Sequence, residues 1–415
     1  MQQKIITRLF LCRVCKSKNL IKVLNFGPTP LANAFLSRQQ IDLPEYFYPL
    51  DVYFCLECHF LQLGHVVSPK MLFSNYVYVS STSPVFVNHF INFAKDVHSR
   101  FSLNSSSLVI DIGSNDGILL KPFKELGARV LGIEPASHIA KLAVKQGIKT
   151  LNEFFSISLA KRIIKQHGKA KIITATNVFA HIHDLDEVIK GLDELLAADG
   201  IFILEAPYTI DFLTKRYFDL VYHEHLSYWS VSPLITLFNR FNLEVFDVKK
   251  VDVHGGSIRV FIKRRNTNYR ISKNVRNLLQ KEKLMKLDKA KTYTDFAQKI
   301  WQNRLTLNKL LVKLKLKGKR IVAYGAPAKG NTLLNYFKIG NEFIDYIVDD
   351  SPFKQGLYTP GTHIPVVALS HLKKDNPDYI FILAWNFAEP IQKKLLWFKN
   401  RGKLFIIPVP QPKIQ

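Results

Sequence analysis

Residues 109–120, Val-Ile-Asp-Ile-Gly-Ser-Asn-Asp-Gly-Ile-Leu-Leu, constrain the fold more than any other stretch of the chain. An apolar run reaches a glycine turn and then resumes with helix-like patterning, which predicts strand, tight turn and helix. Gly113 and Gly117 let the backbone come close to a ligand, and the new helix turns its free N–H groups to the same place. A second strand, 129–133, ends in Glu134, 21 residues beyond Gly113 and just before Pro135. At that spacing an acidic side chain can accept both hydroxyls of a ribose. The expected occupant is a nucleotide-like cofactor.

Charge decides which one. A pyrophosphate needs bare N–H groups, but this turn carries Asn115 and Asp116 and lacks the G-x-G-x-x-G spacing. A carboxylate there repels a dinucleotide and suits the sulfonium and ammonium of S-adenosylmethionine. The expected cofactor-binding residues are therefore Asp111, Gly113, Asn115, Asp116 and Gly117 on the first turn, Glu134 and Pro135 on the second, and Asn177 on a later one. The bland alternative is a strand–helix turn with no ligand.

The four cysteines form two C-x-x-C knuckles, Cys12–Cys15 and Cys55–Cys58, with 39 residues between the pairs. Two such knuckles predict a tetrahedral thiolate site for zinc. Four thiolates with no open position imply a structural metal. Disulfides are the alternative, disfavoured in an intracellular chain. His59 and His65 lie nearby and are read as bystanders.

A chain of 415 residues with 47% hydrophobic content can hold two or three domains. Its +25 formal charge would suit nucleic acid, but the Lys and Arg are spread along the whole chain, which favours anionic small substrates instead. No run approaches the ~20 apolar residues of a membrane span, and the N-terminal apolar stretch is too short for a secretory signal. The expectation is a cytoplasmic monomer binding neither nucleic acid nor membrane.

Alternating helices and strands from 85 to about 262 predict a doubly wound sheet, with strands at 108–112, 129–133, 148–151, 171–176 and 201–205. Ligands collect beyond the carboxyl ends of such strands. Before this sheet, 75–84 is a polar and aromatic linker in which Tyr76 and Tyr78 fit a binding wall. Beyond it, Tyr222-His-Glu-His-Leu-Ser-Tyr228 is followed by His254-Gly-Gly-Ser257. His223, Glu224 and His225 could ligate a metal, but the two histidines are two apart and not four, so a proton-transfer cluster fits better. Residues 265–317 read as a helical connector. A second strand-turn-helix at 320–334 contains Lys329 and Gly330, and strand 343–348 ends in Asp349-Asp350 before a loop with Lys354. That lysine-bearing turn can hold a diphosphate, making a small Rossmann-like sheet. The expected division is 1–80 zinc-binding, 81–264 cofactor-binding, 265–317 connector and 318–415 Rossmann-like.

These motifs, with Pro30-Leu-Ala-Asn-Ala-Phe35, Asn177-Val-Phe-Ala-His-Ile182 and Tyr324-Gly-Ala-Pro-Ala-Lys-Gly-Asn331, cover nearly the whole chain. Together they resemble the bacterial nucleotide-deoxysugar 3-C-methyltransferases. The resemblance implies a class I methyltransferase sheet flanked by an N-terminal zinc domain and a C-terminal Rossmann-like domain. It implies S-adenosylmethionine and zinc as cofactors, a dTDP- or GDP-linked 4-keto-6-deoxysugar as substrate, and a reaction centre lined by Tyr76, His181, Tyr222, Glu224 and His225. Lys329, Gly330, Asn331, Asp350, Lys354, His254 and Ser257 are the expected substrate-binding residues.

A C–H beside a C4 ketone can be removed by a nearby base if the enolate oxygen meets a donor. His225 is the expected base, oriented by Glu224, with His181 or Tyr222 as donor. The alternatives are a zinc-containing NAD-dependent sugar-nucleotide oxidoreductase and a zinc-ribbon nucleic-acid-binding protein.

Overall fold

The computed structural model describes residues 5–73, 79–82, 84–253 and 255–415, the side chains of Thr82 and Pro84 excepted. Tyr76, Tyr78 and His254 lie outside the described residues.

Strand Leu108–Ile112 is buried along its whole length, as a strand with apolar side chains on both faces must be, and Asp111 is its one charged residue. It lies inside a seven-stranded sheet, paired in parallel with Arg129–Ile133 on one side and Ala170–Thr176 on the other. Thr150–Leu151 extends the first side. Leu196–Pro207 extends the second, followed by the reversed strand Ser257–Arg264 and the edge strand Leu243–Val251. The chain builds outward from Leu108–Ile112 in one direction and then crosses to the other, so a crevice opens at the strand ends where the direction changes. With the reversed strand inserted next to the edge, this is the strand order of a class I methyltransferase. The predicted strand 148–151 shortens to two residues, and 201–205 lengthens to Leu196–Pro207.

The cysteine-bearing region folds as an antiparallel sheet of Leu20–Thr29, Tyr48–Cys55 and Leu61–Leu63. Its fourth strand comes from far along the chain: Ser227 pairs with Gln62 and Tyr228 with Leu61. The histidine-rich run 222–226 therefore hangs from the zinc-domain sheet. Helix Ala290–Leu316 buries Tyr293, Phe296, Ile300, Leu307 and Leu311, and it packs on strand Leu20–Thr29, with the Tyr293 and Phe54 rings 5.0 Å apart.

The last sheet is parallel around Ile321–Tyr324, with Ile347–Val348 and Val366–Val367 on one side and Tyr379–Ile382 and Leu404–Ile407 on the other. The predicted strand 343–348 keeps only its last two residues, because Phe343 N–H closes a turn onto the Gly340 carbonyl. Among the described residues no helix is long and apolar enough to cross a membrane.

Candidate active site

A single cavity of about 1390 Å³ runs between the three sheets. Its walls come from the turn after Leu108–Ile112, from the 222–225 run, from the loop containing Asn33 and from the C-terminal sheet near Lys329.

On the central sheet the cavity meets Asp111, Gly113, Asn115, Glu134, Pro135 and Asn177. Glu134 is held in place from behind: one oxygen accepts the Asn115 N–H at 3.0 Å and the other the Ala136 N–H at 2.8 Å. Burial pushes its pKa up and these N–H donors oppose the shift. Asp111 accepts the Thr174 hydroxyl at 2.6 Å, and burial raises its pKa to about 7. Two fixed carboxyls beside a turn suit a cationic nucleoside and repel a pyrophosphate.

One expectation needs correction here. Asn115 is left-handed, φ +50°, which faces Asn115 to the cavity and turns Asp116 inward, fully buried with neither oxygen hydrogen-bonded. Gly113 and Gly117 have positive φ, +68° and +84°, and a Cβ would also strike Val178 at 2.4 Å and Ile148 at 2.9 Å, so conformation and neighbouring side chains both call for glycine; Gly113 lines the cavity and Gly117 does not.

The reaction-centre candidates His181, Tyr222, Glu224 and His225 all line the cavity. His225 Nδ1 lies 2.8 Å from the Leu220 carbonyl, which can only accept, so Nδ1 carries the proton and Nε2 holds the lone pair. The Tyr222 hydroxyl donates to that lone pair at 2.8 Å. His181 lies between Phe73 and His225, ring centroids 5.5 and 5.0 Å away. The expectation that Glu224 orients His225 does not hold, because the Leu220 carbonyl does so. Glu224 instead accepts from Asn33 Nδ2 at 2.7 Å, and burial raises its pKa to about 7 against that hydrogen bond. His223 faces away: its Nε2 donates to the Tyr48 carbonyl at 3.2 Å, and burial lowers its pKa to about 4.

On the C-terminal sheet Lys329, Lys354 and Asp350 reach the cavity. Lys329 Nζ donates to Asn386 Oδ1 at 2.6 Å and Lys354 Nζ to the Ala326 carbonyl at 2.8 Å. Burial lowers both pKa values, opposed by Asp219 and Asp349 respectively. Asp350 is occupied by the Tyr324 hydroxyl and by Lys394 Nζ, the latter at 2.6 Å. Gly330, Asn331 and Ser257 do not line the cavity. Gly330 and Asn331 are buried in helix Ala328–Phe337, where Asn331 Nδ2 donates to the Ala32 carbonyl at 2.7 Å. Ser257 is fully buried and donates to the Val253 carbonyl.

Cys12, Cys15, Cys55 and Cys58 bring their sulfurs within 4.8 Å of one another, with Cys12–Cys58 at 3.4 Å and Cys15–Cys55 at 3.5 Å. A tetrahedral zinc with bonds of about 2.3 Å needs sulfurs about 3.8 Å apart, so the four thiols fit one ion after shifts of a few tenths of an ångström.

Three family models match: a candidate zinc binding domain over residues 12–73, a methyltransferase domain over 87–248 and a C-methyltransferase C-terminal domain over 252–410. The C-methyltransferase NovU of Streptomyces niveus is 35% identical over 412 residues, spanning 99% of this chain and 98% of NovU. The chain belongs to this family of C-methyltransferases. The ubiquinone biosynthesis O-methyltransferase of Pelagibacter ubique (strain HTCC1062) is 27% identical over 122 residues, 29% of this chain and 50% of its own length. A solved magnesium protoporphyrin IX methyltransferase (ChlM) from Synechocystis PCC 6803 with bound SAH shares 16% identity at a TM-score of 0.34, covering 47% of this chain and 91% of that one. Family membership and the donor sets agree on S-adenosylmethionine as cofactor and zinc as structural metal.

Three residues of this C-methyltransferase escaped the sequence reading. Asn33 lies in a motif already noticed but has no chemistry of its own to announce a partner. Phe73 and Asn386 carry no sequence signal, and only the fold brings them to His181 and Lys329.

Glu224→Gln keeps the side-chain shape and removes the charge. The folded pKa of Glu224 is raised, so wild-type stability falls as pH climbs from about 4.5 through about 7. The variant is therefore expected to gain up to about 3 kcal/mol over wild type at pH 8 and nothing near pH 4. Unfolding measured at both values checks this; an equal gain at both would contradict it.

Proposed function

We propose that this C-methyltransferase methylates C3 of a dTDP- or GDP-linked 4-keto-6-deoxysugar through an enolate. The observation that carries the reading is the single cavity joining the Glu134 side to His181, Tyr222 and His225 and onward to Lys329 and Lys354. In this reading segment 1–80 holds zinc, 81–264 the methyl donor, and 318–415, across connector 265–317, the nucleotide. Family membership favours it over the oxidoreductase and nucleic-acid-binding alternatives.

Lys329 and Lys354 supply two cations whose ordinary charge is opposed by burial, so a diphosphate between them restores what burial takes away. On the other wall Glu134 takes the ribose hydroxyls. When bound, S-adenosylmethionine supplies an electrophilic methyl group. The chain's own work is proton transfer and alignment. Tyr222 turns its hydroxyl from His225 to the C4 oxygen, uncovering Nε2 to take the C3 proton, and His181 covers the same oxygen from the Phe73 side. Glu224, held by Asn33, hydrogen-bonds the sugar. Alignment of the carbanion with the methyl supplies much of the remaining acceleration.

The test is to incubate the purified protein and methyl-labelled S-adenosylmethionine with a panel of dTDP- and GDP-linked 4-keto-6-deoxysugars. Label on C3 of at least one supports the reading, and label on none, or on oxygen only, counts against it.

The two ligands lie on different sheets. Glu134→Ala is expected to weaken S-adenosylmethionine at least tenfold and leave the nucleotide sugar within about twofold, while Lys329→Ala does the reverse. Calorimetry showing either change weakening both ligands equally would overturn this division.

A further inference from the structure

Arg13 sits between two zinc ligands yet spends its side chain elsewhere. It is 5% exposed, and its guanidinium reaches two separate segments of the reaction centre. One nitrogen donates to the Ser227 hydroxyl at 2.6 Å and to the Leu226 carbonyl at 3.2 Å. The other donates to the carbonyls of Ile182 and, at 3.1 Å, His183. Leu226 follows His225 directly, and Ile182 follows His181. The knuckle backbone is gripped in turn by buried Gln62, which accepts the Arg13 N–H at 2.7 Å and donates to the Leu11 carbonyl at 3.1 Å. Gln62 is also the strand partner of Ser227.

Cys12 and Asp184 offset part of the cost of burying this cation, yet both terminal nitrogens hydrogen-bond neutral oxygens of two other segments and none of the thiols. The planar fork of arginine can span two chain segments at fixed distance, which lysine cannot do. We propose that Arg13 is a positioning residue for methyl transfer: it ties the zinc knuckle to the segments behind His181 and His225 and so sets the spacing of the two imidazoles. This rests on the reading of those histidines as the reaction centre. Their ring centroids are 5.0 Å apart, and a misplacement of about 1 Å is enough to cost roughly 10²-fold in rate.

The experiment uses the zinc-loaded full chain carrying Arg13→Gln or Ser227→Ala. It measures zinc per chain, the S-adenosylmethionine Kd, kcat, and the imidazole NMR resonances of His181 and His225. Arg13→Gln is expected to retain one zinc and a Kd within about twofold of wild type, to lose at least tenfold in kcat, and to shift both imidazole signals. Ser227→Ala removes one acceptor and should lose about threefold in kcat at full zinc, which keeps the test readable if Arg13→Gln does not fold. Guanidinium added to Arg13→Gly should restore part of the lost kcat without changing zinc content. The proposal is overturned if zinc-loaded Arg13→Gln or Ser227→Ala keeps wild-type kcat and unshifted imidazoles, or if activity is lost only in proportion to lost zinc. A wild-type enzyme that failed to exchange the sugar C3 proton would instead sink the enolate reading, while the imidazole shifts would still report on Arg13.

Discussion

His225→Ala is expected to lower kcat by about 10²–10⁴-fold while both ligands still bind near wild-type strength. The size follows from what the ring does. The Leu220 carbonyl fixes the proton on Nδ1, so Nε2 is the acceptor aimed at the cavity, 2.8 Å from the Tyr222 hydroxyl. A neutral imidazole can act as general base toward a C–H beside a ketone. Alanine removes the acceptor, whereas Glu134 and Lys329 are untouched. Steady-state kinetics paired with calorimetry of both ligands makes the check. An unchanged kcat would move the base to another group, with His181 and Tyr76 the first to test.

The largest loss of stability should come from the metal site. Cys12→Ser is expected to lose the single zinc and to be insoluble or to unfold more than about 10 °C below wild type, since a structural zinc site contributes roughly 10–16 kcal/mol of apparent binding. Damage should not stay in the N-terminal region. Cys12, Val14, Cys55, Cys58 and Phe60 belong to the same buried cluster as the core of the central sheet, and the Phe60 and Trp229 rings lie 4.7 Å apart. Metal analysis and scanning calorimetry test this together. A soluble variant with no zinc, four-strand packing intact and an unchanged Tm would contradict it.

What the sequence revealed and what it hid separate along physical lines. The turn at 109–120, Glu134 and the paired knuckles were legible because backbone geometry and ligand count impose local spacing on them. The rule that ligands gather beyond strand ends placed Glu134 and His181 at one crevice, whereas His225 joined them only through the family resemblance. The strand pairing of Ser227 with Gln62 was not legible, because a two-residue strand has no period to read. Long-range partners were equally silent. Glu224 looked like the partner of its neighbour His225, but Asn33 from another domain takes it, and the Leu220 carbonyl takes the imidazole. Asp116 and Ser257 matched motifs by residue type, yet Asp116 turns inward beside left-handed Asn115 and Ser257 is buried with its hydroxyl on the Val253 carbonyl. The burial of Arg13 was not legible either, because burial cannot be read from a single position.

Proton removal before methyl transfer is the central claim, and solvent exchange isolates it. In heavy water, with the 4-keto sugar nucleotide present and S-adenosylhomocysteine in place of the methyl donor, the wild-type protein should replace the C3 proton with deuterium, and His225→Ala should not. Proton NMR of the recovered sugar reads this directly. Loss of the C3 proton signal with wild type but not with His225→Ala is the predicted result; a wild-type sugar still fully protonated at C3, or equal exchange by the two proteins, would contradict the account.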